Sequence, residues 1–342
     1  MLTSEFDYAL PEELIAQHPV EPRSTSRMLV VDRATGDLAH RQFADILDYL
    51  RPGDVLVVNE TRVIPARLKA HKLPTGGKVE LLLLARRDAL HWEALVKGRR
   101  VGIGQRLAIG TAESSSATAI VEAITASGGR LLRLEKPLEE QLDQLGTIPL
   151  PPYIHAPLEN PERYQTVYAR VKGSAAAPTA GLHWTPELIQ QATDRGVQWE
   201  RVLLHIGLDT FRPVHEERVE DHAIHTEYCR LDEATCQRLN QARAEGHRLV
   251  AVGTTSVRVL ESAAQGEEGA LRPLDGPTAL FIKPGYRFRA VDALLTNFHL
   301  PRSTLLMLVS ALAGTELIRR AYGEAVQQRY RFYSFGDAML IL

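Results

Sequence analysis

Cysteine is nearly absent from this 342-residue chain: Cys229 and Cys236 are the two, with six residues between them. That excludes a disulfide framework and a zinc ribbon, and it suits a reducing cytoplasm. No stretch approaches the roughly 18 uninterrupted apolar residues of a spanning helix, so an integral membrane protein is not expected. The opening MLTSEFDYALPEELIAQHPVEP has acids and prolines where an export signal needs a basic patch and an unbroken apolar run, so export is not expected either. Internal repeats are lacking, and neither sign of charge dominates: 40 Lys and Arg stand against 42 Asp and Glu. What is present is a globular composition, 44% hydrophobic and 24% charged, able to bury a sizeable core. Single cores stop growing at roughly 250 to 300 residues, so two domains are expected.

The balanced total hides a segregation. Residues 1–59 carry five basic against ten acidic side chains, and residues 60–110 carry eleven against four. Arg67, Arg86, Arg87, Lys97, Arg99 and Arg100 are therefore candidates for phosphate contacts, which would make binding of a nucleic acid strongly salt-dependent. Lysine and arginine on a small β-domain serve equally as a solvated face that discourages edge pairing.

Texture divides the chain in three. Residues 1–68 alternate strand-like runs (Met28 to Asp32, Asp54 to Asn59) with a helical pattern at Phe43 to Leu50, an α/β texture. Residues 69–147 change to short runs, VELLLLAR, HWEALV, RLAIG, ATAIVEAI and RLLRLE, which predict a small all-β barrel. The extended connector IPLPPYI at Ile148 leads back to α/β texture over 148–342. There, helices are expected from Pro186 with Thr185 as N-cap, around Asp232 to Glu245, from Thr255 to Ala264 and from Ser303 to Ala325. Strands are expected at Val202 to Ile206, Leu249 to Val252 and Ala279 to Ile282. The fold class is an α/β main domain, sheet or barrel-like, interrupted by an inserted all-β barrel.

Polar residues gather where apolar strands end, which is where open α/β sheets bind ligands. Asn59, Thr61 and Arg62 follow DVLVVN; they form a turn or a place for a phosphate or carboxylate. GSAAAPTAGLHWT at Gly173 offers small residues for close backbone approach, with Ser174, Thr179 and His183. LLHIGLDTFRPV at Leu203 contains His205 and Asp209, and His215, His222, His225 and Glu227 follow. Three histidines with carboxylates suggest a metal, yet no HExxH or cysteine cluster accompanies them, so general acid–base work is the reading preferred. VGTTSVRVLES at Val252 turns from a strand through Gly253, Thr254 and Thr255 into a helix whose free N–H groups attract anions, with Arg258 one turn in. Thr255 or Ser256 as a simple cap is the structural alternative. His299 precedes the last apolar helix. GIGQRL at Gly102 lacks the third glycine of a dinucleotide fingerprint.

Together these segments, with IPLPPYI, RYQTVYA at Arg163, EDHAIHTEY at Glu220, VDALLTNFHLPRSTLLMLVSA at Val291 and YRFYSFGDAMLI at Tyr330, closely resemble the S-adenosylmethionine:tRNA ribosyltransferase-isomerase family of queuosine biosynthesis. The match spans nearly the whole chain and is least over 69–146. The resemblance implies transfer and isomerisation of the ribosyl part of S-adenosylmethionine onto 7-aminomethyl-7-deazaguanine at the tRNA wobble position. Epoxyqueuosine-tRNA, adenine and methionine are the products. The donor is a substrate, and no metal or redox cofactor is called for. Two departures are Asp209, where the family usually has Gly, and Trp184, where Phe is common.

The chemistry needs a base for the acceptor amine and for the C–H beside the sulfonium. Candidates are His183, His205, His225 and His299, with Glu227 or Asp209 orienting a ring or acting directly. Asp292 or a histidine would assist adenine departure, and Arg258 with the Gly253 helix start would hold the methionine carboxylate. A monomer in the cytoplasm is expected, with tRNA as partner and no membrane. A methyltransferase would share both substrates but release S-adenosylhomocysteine, and an RNA-binding module would bind without turnover.

Overall fold

A computed structural model of the chain describes residues 1–110, 117–125, 128–207, 213–265 and 269–342. They form two compact units: Met1–Thr61 with Pro151–Val171 and Pro178–Leu342, and Arg62–Leu150 with Lys172–Ala177. Among the described residues no helix is long and apolar enough to cross a membrane.

The first unit is built on a nine-stranded mixed sheet. Its order is Leu274–Thr278, Glu227–Leu231, Gln198–Leu204, Val55–Asn59, Leu249–Val252, Ala293–Asn297, Ala338–Ile341, Arg27–Val31 and Leu38–Gln42. Val55–Asn59 lies parallel to both neighbours, Gln198–Leu204 and Leu249–Val252. All five of its residues are buried, which is why VLVVN reads as a continuous apolar run rather than an alternation. The edges are chosen differently. Leu38–Gln42 exposes His40, Arg41 and Gln42, and Leu274–Thr278 carries Pro277, both devices that discourage further pairing. One core cluster joins Met28, Phe43, Leu56, Trp184, Val250, Leu295 and Leu340.

Helix starts follow local chemistry. The Thr185 hydroxyl accepts from the Leu188 N–H (3.2 Å) with Pro186 at the first position, and Asp232 accepts from the Thr235 N–H (2.8 Å) at the start of Glu233–Ala244. The helix expected from Ser303 to Ala325 is two helices, Thr304–Ala313 and Thr315–Gln327, because Gly314 between them has φ of 87°, outside the helical basin. The strand expected at Ala279 to Ile282 falls instead on Leu274–Thr278. Beyond Thr278 side chains satisfy the backbone: the Leu280 N–H donates to the Thr278 hydroxyl (3.3 Å), and its carbonyl accepts from Arg258 Nε (3.3 Å).

The second unit is a closed six-stranded antiparallel barrel. Its strands run Arg67–Leu73, Lys78–Arg86, His91–Lys97, Arg130–Leu134, Ala117–Ile124 and Arg106–Ile109, which pairs back onto the first. Alternation fills the interior: Val79, Leu81 and Leu83 point inward from one strand, against Leu68, Trp92, Leu107, Val121 and Leu132. The Ile64 N–H donates to the Ser174 carbonyl (3.0 Å), tying residues 172–177 to this unit.

Candidate functional site

The C-terminal ends of the parallel strands in the first unit collect most of the polar residues singled out above. Asn59 ends its strand fully buried, with every hydrogen-bonding group engaged. Its Nδ2 donates to the Leu204 carbonyl (2.9 Å) and the Thr255 hydroxyl (3.2 Å), and its Oδ1 accepts from the Thr61 and Leu204 N–H groups (3.1 Å each). This single amide fastens two strand ends to the start of helix Thr254–Ala263. Thr255 is thus held by Asn59 rather than capping the helix, whose N-cap is Gly253, and the Ser256 hydroxyl donates back to the Val252 carbonyl (3.0 Å). Thr254 is buried at the same turn, and Thr179 opens the short turn Thr179–His183.

Glu227 is the electrostatic centre. Buried, it accepts from the Gly207 N–H (2.9 Å), from His225 Nε2 (3.2 Å) and from Arg258 Nη1. Burial alone would raise its carboxyl, but the His225 hydrogen bond and the Arg258 charge offset that and hold it below the ordinary value. Arg258, expected to hold a ligand carboxylate, is itself buried and committed to Glu227; its remaining contacts are the Leu280 and Thr278 carbonyls (3.3 and 3.4 Å). His225 stays part-exposed beside it.

The other histidines differ. His205 is half-buried, bonded through Nδ1 to the Thr61 hydroxyl (2.8 Å) and stacked on Tyr228. Burial, aided by Arg230, pulls it down to about 4. His183 is enclosed between the Ser26 hydroxyl (Nδ1, 2.7 Å), the Asn297 amide (Nε2, 3.2 Å) and the Phe43 ring. Burial, with the charges of Arg331 and Arg23, lowers it to about 3. His299 is enclosed likewise, its Nε2 on the Thr296 hydroxyl (2.8 Å), and burial lowers it to about 3. His183 and His299, expected as bases, are instead neutral rings built into the core. Asp292 is also displaced from its expected role. It accepts from the Leu249 N–H (2.8 Å) at the N-terminal end of strand Ala293–Asn297, about 16 Å of extended chain from the end that carries Asn297.

These depressed histidines fix a pH dependence. Each folded-state value lies below the ~6.5 of the unfolded chain, so the unfolded chain takes up the proton first as pH falls. The stability contributed by each neutral ring is complete above ~6.5 and is lost as pH drops toward the folded value. Between pH 7.5 and pH 5 each enclosed histidine is expected to remove on the order of 2 kcal/mol. Urea melts at the two pH values check this: His299→Gln should lose less stability on acidification than the parent chain, and an identical loss would refute it.

Arg62 and Ser174 belong to the second unit, where the Ser174 hydroxyl donates to the Ala176 carbonyl (2.7 Å). Asp209 lies outside the described residues. Of the basic candidates, Arg67 pairs with Glu80 (2.9 Å), Arg86 with Glu139 (2.6 Å) and Arg87 with Glu93, whereas Lys97, Arg99 and Arg100 are exposed without an ion pair among the described residues. Among the described residues no group of three or more His, Cys, Asp or Glu is arranged to hold a metal ion. His222 pairs with Glu216 (3.0 Å) and His225 with Glu227, which separates the apparent cluster. Arg23 and Ser26 were not singled out from sequence; the short RSTSR stretch that holds them has no periodicity or motif to mark it.

A family model described as "Queuosine biosynthesis protein" matches residues 3–341. Similar curated proteins include the S-adenosylmethionine:tRNA ribosyltransferase-isomerases of Symbiobacterium thermophilum (57% identical) and Moorella thermoacetica (55% identical), each aligned over the full length of both chains. Among solved structures, a crystal structure of S-adenosylmethionine tRNA ribosyltransferase from Thermotoga maritima is 41% identical. It aligns with 99% of this chain and 100% of its own, at a TM-score of 0.57.

Proposed function

The chain belongs to the queuosine biosynthesis protein family as a transferase-isomerase of the S-adenosylmethionine:tRNA ribosyltransferase-isomerase kind, and from that premise we propose its substrates and the roles of its residues. The ribosyl part of S-adenosylmethionine is moved onto 7-aminomethyl-7-deazaguanine at the wobble position and isomerised, giving epoxyqueuosine-tRNA, adenine and methionine. The observation that carries the residue assignment is the buried Glu227 between His225 and Arg258. His225 is the base for the acceptor amine or for the C–H made acidic by the sulfonium. Glu227 orients its ring through Nε2, and Arg258 keeps Glu227 ionised. Adenine departs more readily when a ring nitrogen receives a proton or hydrogen bond, a role for His205 or for Asp209. The protein works as a cytoplasmic monomer. The test is incubation with tRNA bearing the deazaguanine precursor and S-adenosylmethionine, followed by mass analysis. Free adenine supports the reading, and S-adenosylhomocysteine or no product overturns it.

For the tRNA contact, the barrel end bearing Lys97, Arg99 and Arg100 is favoured, because their charges are not neutralised by described acids. Lys72 supports that end, its Nζ donating to the Arg99 carbonyl and to the Arg100 carbonyl (3.3 Å). Arg67, Arg86 and Arg87 contribute less, each facing a glutamate. Replacing Lys97, Arg99 and Arg100 together by Gln is expected to flatten the salt dependence of tRNA binding by about two to three units of slope, while S-adenosylmethionine binding persists. Affinity measured across several salt concentrations decides it; an unchanged slope would exclude this surface.

A further inference from the structure

With Arg258 committed to Glu227, an anionic group of the substrate needs another cation, and the first unit has a place for one. Arg23, Ser26, Arg163, His183, Ser334 and Gly336 line a cavity of about 20 Å³, room for a water-sized group such as one end of a carboxylate. We propose that this pocket is a carboxylate subsite that takes the carboxylate end of the sulfonium substrate's amino-acid tail; the inference rests on the function proposed above.

Four observations support it. The Arg23 guanidinium is half-buried beside Arg163; the charges of Glu21 and Glu162 reach it, but among the described residues no carboxylate forms an ion pair with it. It donates to the backbone carbonyls of Gln165 (2.7 Å) and Glu162 (2.9 Å), and its remaining N–H groups suit a bidentate acceptor. Arg331, near enough for its charge to act on His183, is half-buried in the same way and donates to the His18 carbonyl. Arg163 pairs with Glu21, which is itself exposed.

Second, the hydrogen-bond directions leave a donor over. The Asn297 amide donates to the Tyr333 carbonyl (3.2 Å), which orients it to donate to His183 Nε2 as well. His183 Nδ1 therefore carries the ring proton and gives it to the Ser26 oxygen. The Ser26 hydroxyl has its own proton to place, and the acceptor it finds is the Arg23 carbonyl at 3.4 Å, a poor bond that an anion would replace.

Third, the wall is held in a demanding conformation. Tyr333 adopts φ of 70°, rare for an aromatic residue, and a Cβ at Gly336 would come within 2.5 Å of the Arg331 carbonyl oxygen. Fourth, the pocket lies at the functional edge. Asn297, which touches His183, ends the strand beside Leu249–Val252, from which Gly253 opens the helix held by Asn59.

The test compares S-adenosylmethionine with its decarboxylated analogue, which lacks only the carboxylate. Arg23→Gln and Arg163→Gln are expected to raise KM for S-adenosylmethionine by about ten- to a hundredfold, the range for a charge-assisted hydrogen bond, and to leave KM for the analogue and for tRNA nearly unchanged. Arg23→Lys, which keeps charge without the fork, should fall between. Equal losses for both small substrates, or a rise in KM for tRNA instead, would overturn the subsite; the latter would mean that the pocket holds a backbone phosphate. Direct titration of the two ligands reads the pocket independently of turnover. Discrimination that depends on Arg23 without adenine release would support the subsite and count against the reaction, and turnover without discrimination would do the reverse. Thermal melts verify folding, and if Arg23→Gln does not fold, Arg163→Gln carries the comparison.

Discussion

Glu227→Ala is expected to destabilise the protein by about 3–5 kcal/mol, the range for stripping one partner from a buried ion pair. The reason lies in what remains. Arg258 stays buried with two long contacts to backbone carbonyls (3.3 and 3.4 Å), and the Gly207 N–H loses its acceptor. Helix Thr254–Ala263, in which Arg258 sits, cannot turn that side chain to water without unseating Thr255 from Asn59. A cycle with Arg258→Met separates pair from fold: Glu227→Met combined with Arg258→Met should cost less than the two single changes summed, by about 0.5–3 kcal/mol. Because the Glu227 carboxyl is held below its ordinary value, the stability it contributes is present above the unfolded value of ~4.3 and is lost as pH falls through the folded one. The acid loss attributable to this group should be missing from the double variant. Urea unfolding at pH 7.5 and pH 4 measures both quantities, and a single-variant loss below about 1 kcal/mol would mean that water reaches the guanidinium and that the pair is not buried.

What could be read from sequence here was what short-range chemistry decides. Thr185 before Pro186 and Asp232 before Glu233 gave true helix starts, and the VLVVN run marked a strand covered on both faces. The barrel's short alternating runs appeared as its strands. Local pattern failed where one residue interrupts a strong trend: Gly314 splits an apolar stretch whose periodicity continues past it, and Leu274–Thr278 pairs despite carrying Gly276 and Pro277. The site was half visible for a related reason. Residues at strand ends could be named, but the pairing of Arg258 with Glu227, 31 positions apart, and the enclosure of His183 by Ser26, 157 positions away, are tertiary facts. So is the placing of Asp292, which precedes strand Ala293–Asn297, a strand not expected from the sequence, at the end away from Asn297. A histidine in a polar-looking loop and one plugged into the core look alike until the sheet places them.

Turnover by His225→Asn is expected to fall by about 10²–10⁴-fold with the fold intact, the span for loss of a general acid–base group. Among the four histidines considered, His225 alone combines partial exposure with a buried carboxylate on its ring nitrogen. In the proposed reaction a base for the acceptor amine must be reachable and must keep a fixed ring orientation, and the Glu227 contact supplies the second condition. His299 has neither access nor a carboxylate, so His299→Gln should shift stability and its pH dependence while kcat, measured on folded protein, survives. His205, pulled down to about 4, is neutral near pH 7 but poorly matched as a base there, and it suits a hydrogen-bonding role through the ring held by Thr61. Replacing it should lower turnover less than replacing His225. Adding imidazole to His225→Asn provides the sharper readout, because a missing proton acceptor can be restored by a diffusible one while a damaged fold cannot. Partial recovery of adenine release would assign His225 to proton transfer, and turnover by His225→Asn close to that of the parent chain would remove it and return the search for a base to Asp209.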